Sequence, residues 1–148
     1  MRFVVTHRDP VKVIPSACSV IAEHTKMRLP DWTPDPEFGC RTLTQLLEGV
    51  QRAMAARPVI GEERFFDIGQ PELQADAVGV AERIYEFAGL RLEDDVRAAM
   101  KEWDEQNRVG SRGQHRYTPE EFGLTTEGIR SEFAEYLDKY GDYCSPKL

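Results

Sequence analysis

The residues of this chain with the clearest chemical potential are Arg8 and Ser16, which lie eight positions apart near its N-terminus. Arginine offers planar, permanently charged donors that match the oxygens of a phosphate, and a serine hydroxyl adds one further hydrogen bond. The amides at the start of a helix add fixed dipoles that favour an anion. The pair therefore predicts a site for a phosphate group. Two alternatives stay open: Arg8 can form an ion pair with Asp9 or with a carboxylate of a neighbouring helix, and Ser16 can hydrogen-bond a carbonyl oxygen freed by Pro15.

Two predicted elements carry these residues. Residues 3–6 are apolar or β-branched, which indicates a buried strand ending just before Arg8. Pro10 suits the first turn of a helix over residues 11–25, which would hold Ser16 beside a helix-bending proline. A short aromatic run at 64–68 predicts the second strand. A strand of this kind normally lies in a parallel sheet, with neighbouring strands on both sides. Two such strands in a chain that is otherwise helical predict an α/β fold with a small parallel sheet.

The rest of the chain has helical periodicity. Residues 29–38 form a proline-broken connection, with Trp32 and Phe38 as its anchors, and residues 40–56 follow as a helix. Residues 73–88 carry one apolar helical face that ends at Gly89. A further apolar stripe has i, i+4, i+7 spacing and is predicted to face the core: Val96, Met100 and Trp103. The whole chain, residues 1–148, is therefore interpreted as a single, mostly helical α/β domain.

The charge distribution narrows the class of ligand. A net charge of −7 argues against non-specific nucleic-acid binding. Residues 1–28 nevertheless hold five Lys or Arg against two Asp or Glu, and residues 106–117 hold three Arg and one His with no acid. Two basic islands in an acidic protein suit a compact anion better than a polyanion. The alternative is that both islands are solvated loops and helix faces.

The cysteine and hydropathy patterns predict the cellular compartment of the protein. The three cysteines are odd in number and unpatterned, which indicates reduced thiols and a cytoplasmic protein. No apolar run approaches the roughly 18 residues that span a bilayer, and the N-terminus lacks a signal-peptide core. Cys18 and His24 do not share a helical face, so no metal site is expected.

Ordered motifs cover nearly the whole chain: His-Arg-Asp-Pro at 7–10, Pro-Ser at 15–16, Arg-Phe-Phe-Asp at 64–67, a helix ending at 83–90, His-Arg-Tyr at 115–117 with Phe-Gly-Leu at 122–124, and a closing aromatic series at 133–141. This ordered set resembles the sulfotransferases that use 3′-phosphoadenosine 5′-phosphosulfate (PAPS), most closely their bacterial branch. The resemblance implies a three-layer α/β/α, P-loop-like fold. It also implies PAPS, or its product adenosine 3′,5′-bisphosphate (PAP), as the nucleotide, with no metal.

The same resemblance assigns candidate site residues. Arg8 and Ser16 would bind the 3′-phosphate of the nucleotide, and a late basic glycine loop containing Arg112 and Gly113 would close over it. The family's phosphosulfate loop and its catalytic histidine lie upstream of the His-Arg-Asp-Pro strand and have no counterpart in these residues. We therefore expect an N-terminally truncated sulfotransferase domain with no assigned catalytic residue. His7 is interpreted as a hydrogen-bonding residue at the strand end.

The favoured hypothesis is a sulfotransferase-family protein that keeps the 3′-phosphate half of the PAPS site. Sulfuryl transfer to a small-molecule hydroxyl acceptor is implied by the resemblance, although the isolated chain is not expected to catalyse it. The main alternative is a non-catalytic nucleotide-binding or partner-binding module, which a homodimer or a second chain would complete. A third hypothesis is a helical structural protein that kept the family's core and lost the site.

Overall fold

The computed structural model describes residues 1–107 and 117–145. Its strands and helices, in chain order, are β1 (Phe3–His7), α1 (Pro10–Arg28), α2 (Phe38–Ile60), β2 (Phe65–Gly69), α3 (Gln70–Ala75), α4 (Ala77–Ala88), α5 (Asp94–Gln106), α6 (Thr126–Glu132) and α7 (Ala134–Cys144). Short 3-10 turns at Glu62–Arg64 and Pro119–Phe122 precede β2 and α6. No helix within 1–107 or 117–145 is long and apolar enough to cross a membrane.

Strands β1 and β2 pair in parallel in a two-stranded sheet. The register matches Phe3 with Phe65 at one end and His7 with Gly69 at the other. The first pair is held by stacked rings, whose centroids lie 4.9 Å apart. The predicted fold class, mostly helical with a small parallel sheet, is confirmed.

The chain forms two compact units, and the first contains residues 1–8, 60–107 and 142–145. The sheet lies here, together with α3, α4 and α5. The helical face predicted over 73–88 is divided at Asp76, whose side chain accepts a hydrogen bond of 2.8 Å from the Gly79 amide and caps α4. Gly89 ends α4 with φ of 72°, as the sequence predicted.

The apolar stripe of α5 is the clearest wrong prediction. α5 contains no buried residue, and Trp103 is 65% exposed. The stripe instead lines an open apolar groove of about 350 Å³ together with Ala77 and Val78 of α4. Helical periodicity shows which side chains share a face, but it does not show that another element covers that face.

The second unit contains residues 9–59 and 117–141 and has its own apolar core. That core is built on α1, α2, α6 and α7, and its most deeply buried members are Ile14, Cys18 and Ile129. The predicted anchors of the proline-rich connection are confirmed, because Phe38 is buried and Trp32 packs edge-on against it at 5.4 Å. Gly39 allows α2 to approach the Pro119–Phe122 turn, since a Cβ there would lie 2.0 Å from the Phe122 carbonyl oxygen.

Candidate functional site

Arg8 lies in the first unit, directly after the last residue of β1, and its side chain is exposed. Within residues 1–107 and 117–145 it makes no ion pair and no side-chain hydrogen bond. The alternative in which Arg8 pairs with Asp9 is not seen, because Asp9 has other partners. The guanidinium group therefore has all five of its N–H donors available to a ligand.

Asp9 begins the second unit and caps α1. One carboxylate oxygen accepts a hydrogen bond of 3.0 Å from the Val11 amide, and the other lies 3.4 Å from the Arg130 guanidinium. The amides of residues 12 and 13 donate to the Asp9 carbonyl oxygen at 2.9 and 3.1 Å, and Pro10 has no amide hydrogen. The expectation that the first amides of this helix are available to a phosphate is therefore wrong, because the chain itself satisfies them.

Ser16 lies in the second turn of α1, in the second unit, and is partly exposed. No side-chain hydrogen bond involves its Oγ within the described parts of the chain, so the alternative in which Ser16 bonds a carbonyl freed by Pro15 is not seen. α1 tolerates Pro15 because that residue is buried in the helix packing. The Ser16 hydroxyl is consequently available as a donor or an acceptor.

The other two predicted site residues, Arg112 and Gly113, lie outside the described residues. The same holds for most of the basic loop predicted at 109–117. Their assignment to the nucleotide stays a prediction that rests on the family resemblance.

A polar cluster of His7, Asp67 and Tyr143 joins the carboxyl end of β1 to the middle of β2 and the end of α7. His7 is only 3% exposed, and its Nε2 lies 2.8 Å from Oδ1 of Asp67 on β2. Because a carboxylate oxygen accepts, this ring nitrogen carries the hydrogen. The ring of Tyr143 packs against the His7 ring, with centroids 5.2 Å apart and planes inclined by 33°. The interpretation of His7 as a hydrogen-bonding residue at a strand end agrees with this geometry.

Gly69 explains how the C-terminal end of α7 reaches this cluster. A Cβ on Gly69 would lie 2.3 Å from the Tyr143 carbonyl oxygen, so only glycine leaves room for that stretch of main chain. Tyr143 comes from 74 positions further along the chain than Gly69.

Sequence reasoning missed Asp67, Arg130 and Tyr143. Asp67 is the one acid within an otherwise apolar strand, but only the strand register shows that it shares a sheet face with His7. No local pattern identifies Arg130 or Tyr143, because their partners lie more than a hundred residues away in the sequence. The fold, and not a motif, brings each of them to its partner residue.

The described residues were compared with what a metal site or a reactive thiol requires. Within 1–107 and 117–145, no three His, Cys, Asp or Glu side chains are grouped so that they could hold an ion. Cys18 is fully buried, and burial raises the pKa of its thiol, an effect that a hydrogen bond with Thr42 partly opposes. Cys18 is therefore part of the core of the second unit.

The parallel strand pair with its flanking helices places the chain in the α/β class of folds. A family model described as the sulfotransferase family matches residues 1–94, and the chain belongs to that family. The crystal structure of sulfotransferase STF9 from Mycobacterium avium is similar to this chain, with a TM-score of 0.78 and 33% sequence identity. The match covers 93% of this chain and 36% of that one, so the chain spans about a third of the length of this solved relative. No curated protein sequence matches the chain.

Proposed function

We propose that this chain is the part of a PAPS-dependent sulfotransferase, of the bacterial branch, that binds the 3′-phosphate of the nucleotide. The observation that carries the proposal is the state of Arg8: an exposed arginine at the carboxyl end of a parallel strand, without a protein partner among the described residues. Ligands of open α/β sheets bind at the carboxyl ends of the strands. Family membership and the spacing of Arg8 and Ser16 support the same assignment.

Each proposed contact has a defined chemistry. Arg8 would donate a charge-assisted, bidentate pair of hydrogen bonds to two phosphate oxygens. Ser16 would donate its hydroxyl hydrogen to a third oxygen, while Arg112 and the backbone of Gly113 would close over the phosphate. A 3′-phosphate distinguishes PAPS and PAP from the more abundant adenosine 5′-phosphates, so these contacts would select the nucleotide.

Sulfuryl transfer needs further groups. The sulfur–oxygen bond to the 5′-phosphate breaks as a bond to the acceptor hydroxyl oxygen forms, the acceptor proton passes to a base, and PAP leaves with added negative charge. His7 is poorly suited to be that base, since it is buried and its Nε2 is bound to Asp67. We propose that the base and the cation at the leaving oxygen come from residues outside these 148, in keeping with the share of the solved relative that the chain spans.

A non-catalytic binding module is the second candidate. The observation that favours it is the open apolar groove between α4 and α5, with Trp103 65% exposed at its edge. Large exposed apolar surfaces are often sites of contact between proteins. On this hypothesis the nucleotide site would serve recognition, and a second chain or a second copy would cover the groove.

Calorimetric titration of the full chain with PAP tests the proposal. Adenosine 5′-monophosphate, which lacks the 3′-phosphate, is the matched ligand, and Arg28→Ala is the matched variant because Arg28 is also exposed and has no ion pair in the described residues. Losing hydrogen bonds to a charged group costs about 1.5–3 kcal/mol, which corresponds to about 10- to 100-fold in affinity. We expect Arg8→Ala to weaken PAP by that factor, Ser16→Ala by less, and Arg28→Ala not at all.

The control ligand makes the result specific. The affinity for adenosine 5′-monophosphate should be the same for the parent chain and for Arg8→Ala. Unchanged PAP affinity in Arg8→Ala would remove Arg8 from the site. A folded parent chain that binds no PAP would contradict the proposed function and favour a structural or partner-binding role.

A further inference from the structure

The polar cluster formed by His7, Asp67 and Tyr143 includes the residue that immediately precedes Arg8 in the chain. Its His7 side chain is 3% exposed and that of Asp67 is 13% exposed, so both polar groups have been withdrawn from water. Such burial costs free energy unless every group is well paired, and an apolar pair of the same shape would pack at lower cost. The cluster is therefore a candidate for a positioning role.

Strand geometry links this cluster to Arg8. Successive side chains of a strand point to opposite faces, so a buried side chain at position 7 directs the side chain at position 8 away from the packed face. His7 is the last residue of β1, and among the described residues no ladder pairing continues beyond it. The fixation of the His7 ring therefore fixes the strand end from which the backbone continues to Arg8.

The ring of His7 is held from two directions. Asp67 anchors Nε2 at 2.8 Å from the neighbouring strand, and Tyr143 packs on the ring at 5.2 Å. Gly69, the register partner of His7, leaves the space through which the Tyr143 main chain passes. The strand ends and the end of α7 are thus packed together around one imidazole.

We propose that His7 is a positioning residue: held by the Asp67 carboxylate and the Tyr143 ring, it fixes the carboxyl end of β1 and hence the backbone from which Arg8 binds the 3′-phosphate. The inference rests on the proposed function and extends it to a second set of residues. Without this anchor the backbone at Arg8 must also be ordered when the nucleotide binds, and fixing the backbone of one residue costs enough to lower affinity about tenfold.

The test compares three variants with one control. His7→Ala removes the anchor, while His7→Gln keeps a nitrogen donor at about the reach of Nε2, and Asp67→Asn keeps an acceptor oxygen without the charge. Val80→Ala is the matched control, because Val80 lies on α4 in the same unit and is 1% exposed, so its truncation lowers stability while the His7, Asp67 and Tyr143 side chains stay unchanged. Two quantities are measured well below the unfolding transition: PAP affinity, and amide hydrogen exchange of the peptide covering residues 6–9.

We expect His7→Ala to weaken PAP binding about tenfold and to speed exchange in this peptide by a similar factor. His7→Gln should recover most of both losses, Asp67→Asn should lie between the two, and Val80→Ala should change neither. Equal weakening in Val80→Ala would show a general stability effect and would overturn the positioning role. So would a His7→Ala chain that binds PAP and exchanges like the parent.

The failures of the two proposals are distinguishable. If Arg8→Ala weakens PAP binding and His7→Ala does not, the proposed function stands and the positioning role fails. If the folded parent chain binds no PAP, the proposed function fails, and the exchange measurement still decides whether His7 fixes the strand end. Unchanged exchange at residues 6–9 in His7→Ala overturns the inference in either case.

Discussion

Asp9 lies between Arg8 and Ser16, the two candidate phosphate ligands, in the sequence, and its replacement tests how the start of α1 is stabilised. One carboxylate oxygen caps α1 through the Val11 amide at 3.0 Å, and the other lies 3.4 Å from the Arg130 guanidinium. Removing a helix N-cap costs about 1 kcal/mol. Arg130 is 52% exposed, so its ion pair adds about 0.5 kcal/mol after screening by solvent. We therefore expect Asp9→Ala to lower the free energy of unfolding by about 1.5 kcal/mol, or Tm by about 4 °C.

Asparagine separates the two contributions. Asp9→Asn keeps a capping oxygen and loses only the charge, so it should cost about 0.5 kcal/mol, as should Arg130→Ala. Adding Arg130→Ala to Asp9→Ala should cost almost nothing further, because the pair is already broken. Urea unfolding followed by circular dichroism gives these values. The reasoning is refuted if Asp9→Asn is as unstable as Asp9→Ala, or if Asp9→Ala unfolds like the parent chain.

Three further outcomes follow from burial and close contacts. Because burial raises the pKa of the Cys18 thiol, its thiolate fraction at pH 8 is low. Iodoacetamide should therefore modify the exposed Cys40 in the folded chain, and it should modify Cys18 only after unfolding. Peptide mass spectrometry measures both modifications. Gly39→Ala should lower stability in urea by about 1–3 kcal/mol, since its Cβ would lie 2.0 Å from the Phe122 carbonyl oxygen; an unchanged midpoint would contradict that contact. Trp103→Ala should cost less than about 1 kcal/mol, because Trp103 is 65% exposed, and a larger loss would mean that the groove is covered in solution.

Local sequence signals predicted element types well and element ends less well. β2 was predicted at 64–68 and lies at Phe65–Gly69. α2 was predicted to end at residue 56 but continues to Ile60, through Pro58. The reason is tertiary: Arg57 is buried over the ring of Tyr140 at 5.3 Å, and this contact from a distant helix outweighs the local preference to stop before the proline.

The candidate site residues also differ in whether local sequence signals predict them. Arg8 and Ser16 were accessible to sequence reasoning because strand, turn and helix signals lie within 16 residues of each other. Asp67 needed the register of a parallel pair, and Tyr143 needed the path of the last helix. Trp103 shows the opposite error: a clear apolar pattern predicts that its side chain lies in the core, but the side chain is exposed. Patterns define faces, while only the fold defines what packs against them.

The adjacent charges of Arg8 and Asp9 do not neutralise each other, and this is the strongest physical argument for a ligand at Arg8. Asp9 is committed to the cap and to Arg130, so the cation beside it has no carboxylate among the described residues. Exposure alone does not explain this, since Arg28 is also exposed and has no ion pair among residues 1–107 and 117–145. What distinguishes Arg8 is the buried His7 that precedes it and the capped helix that follows. If Arg8→Ala and Arg28→Ala were to affect PAP binding equally, Arg8 would not be a specific ligand of the nucleotide; we expect only Arg8→Ala to weaken PAP binding.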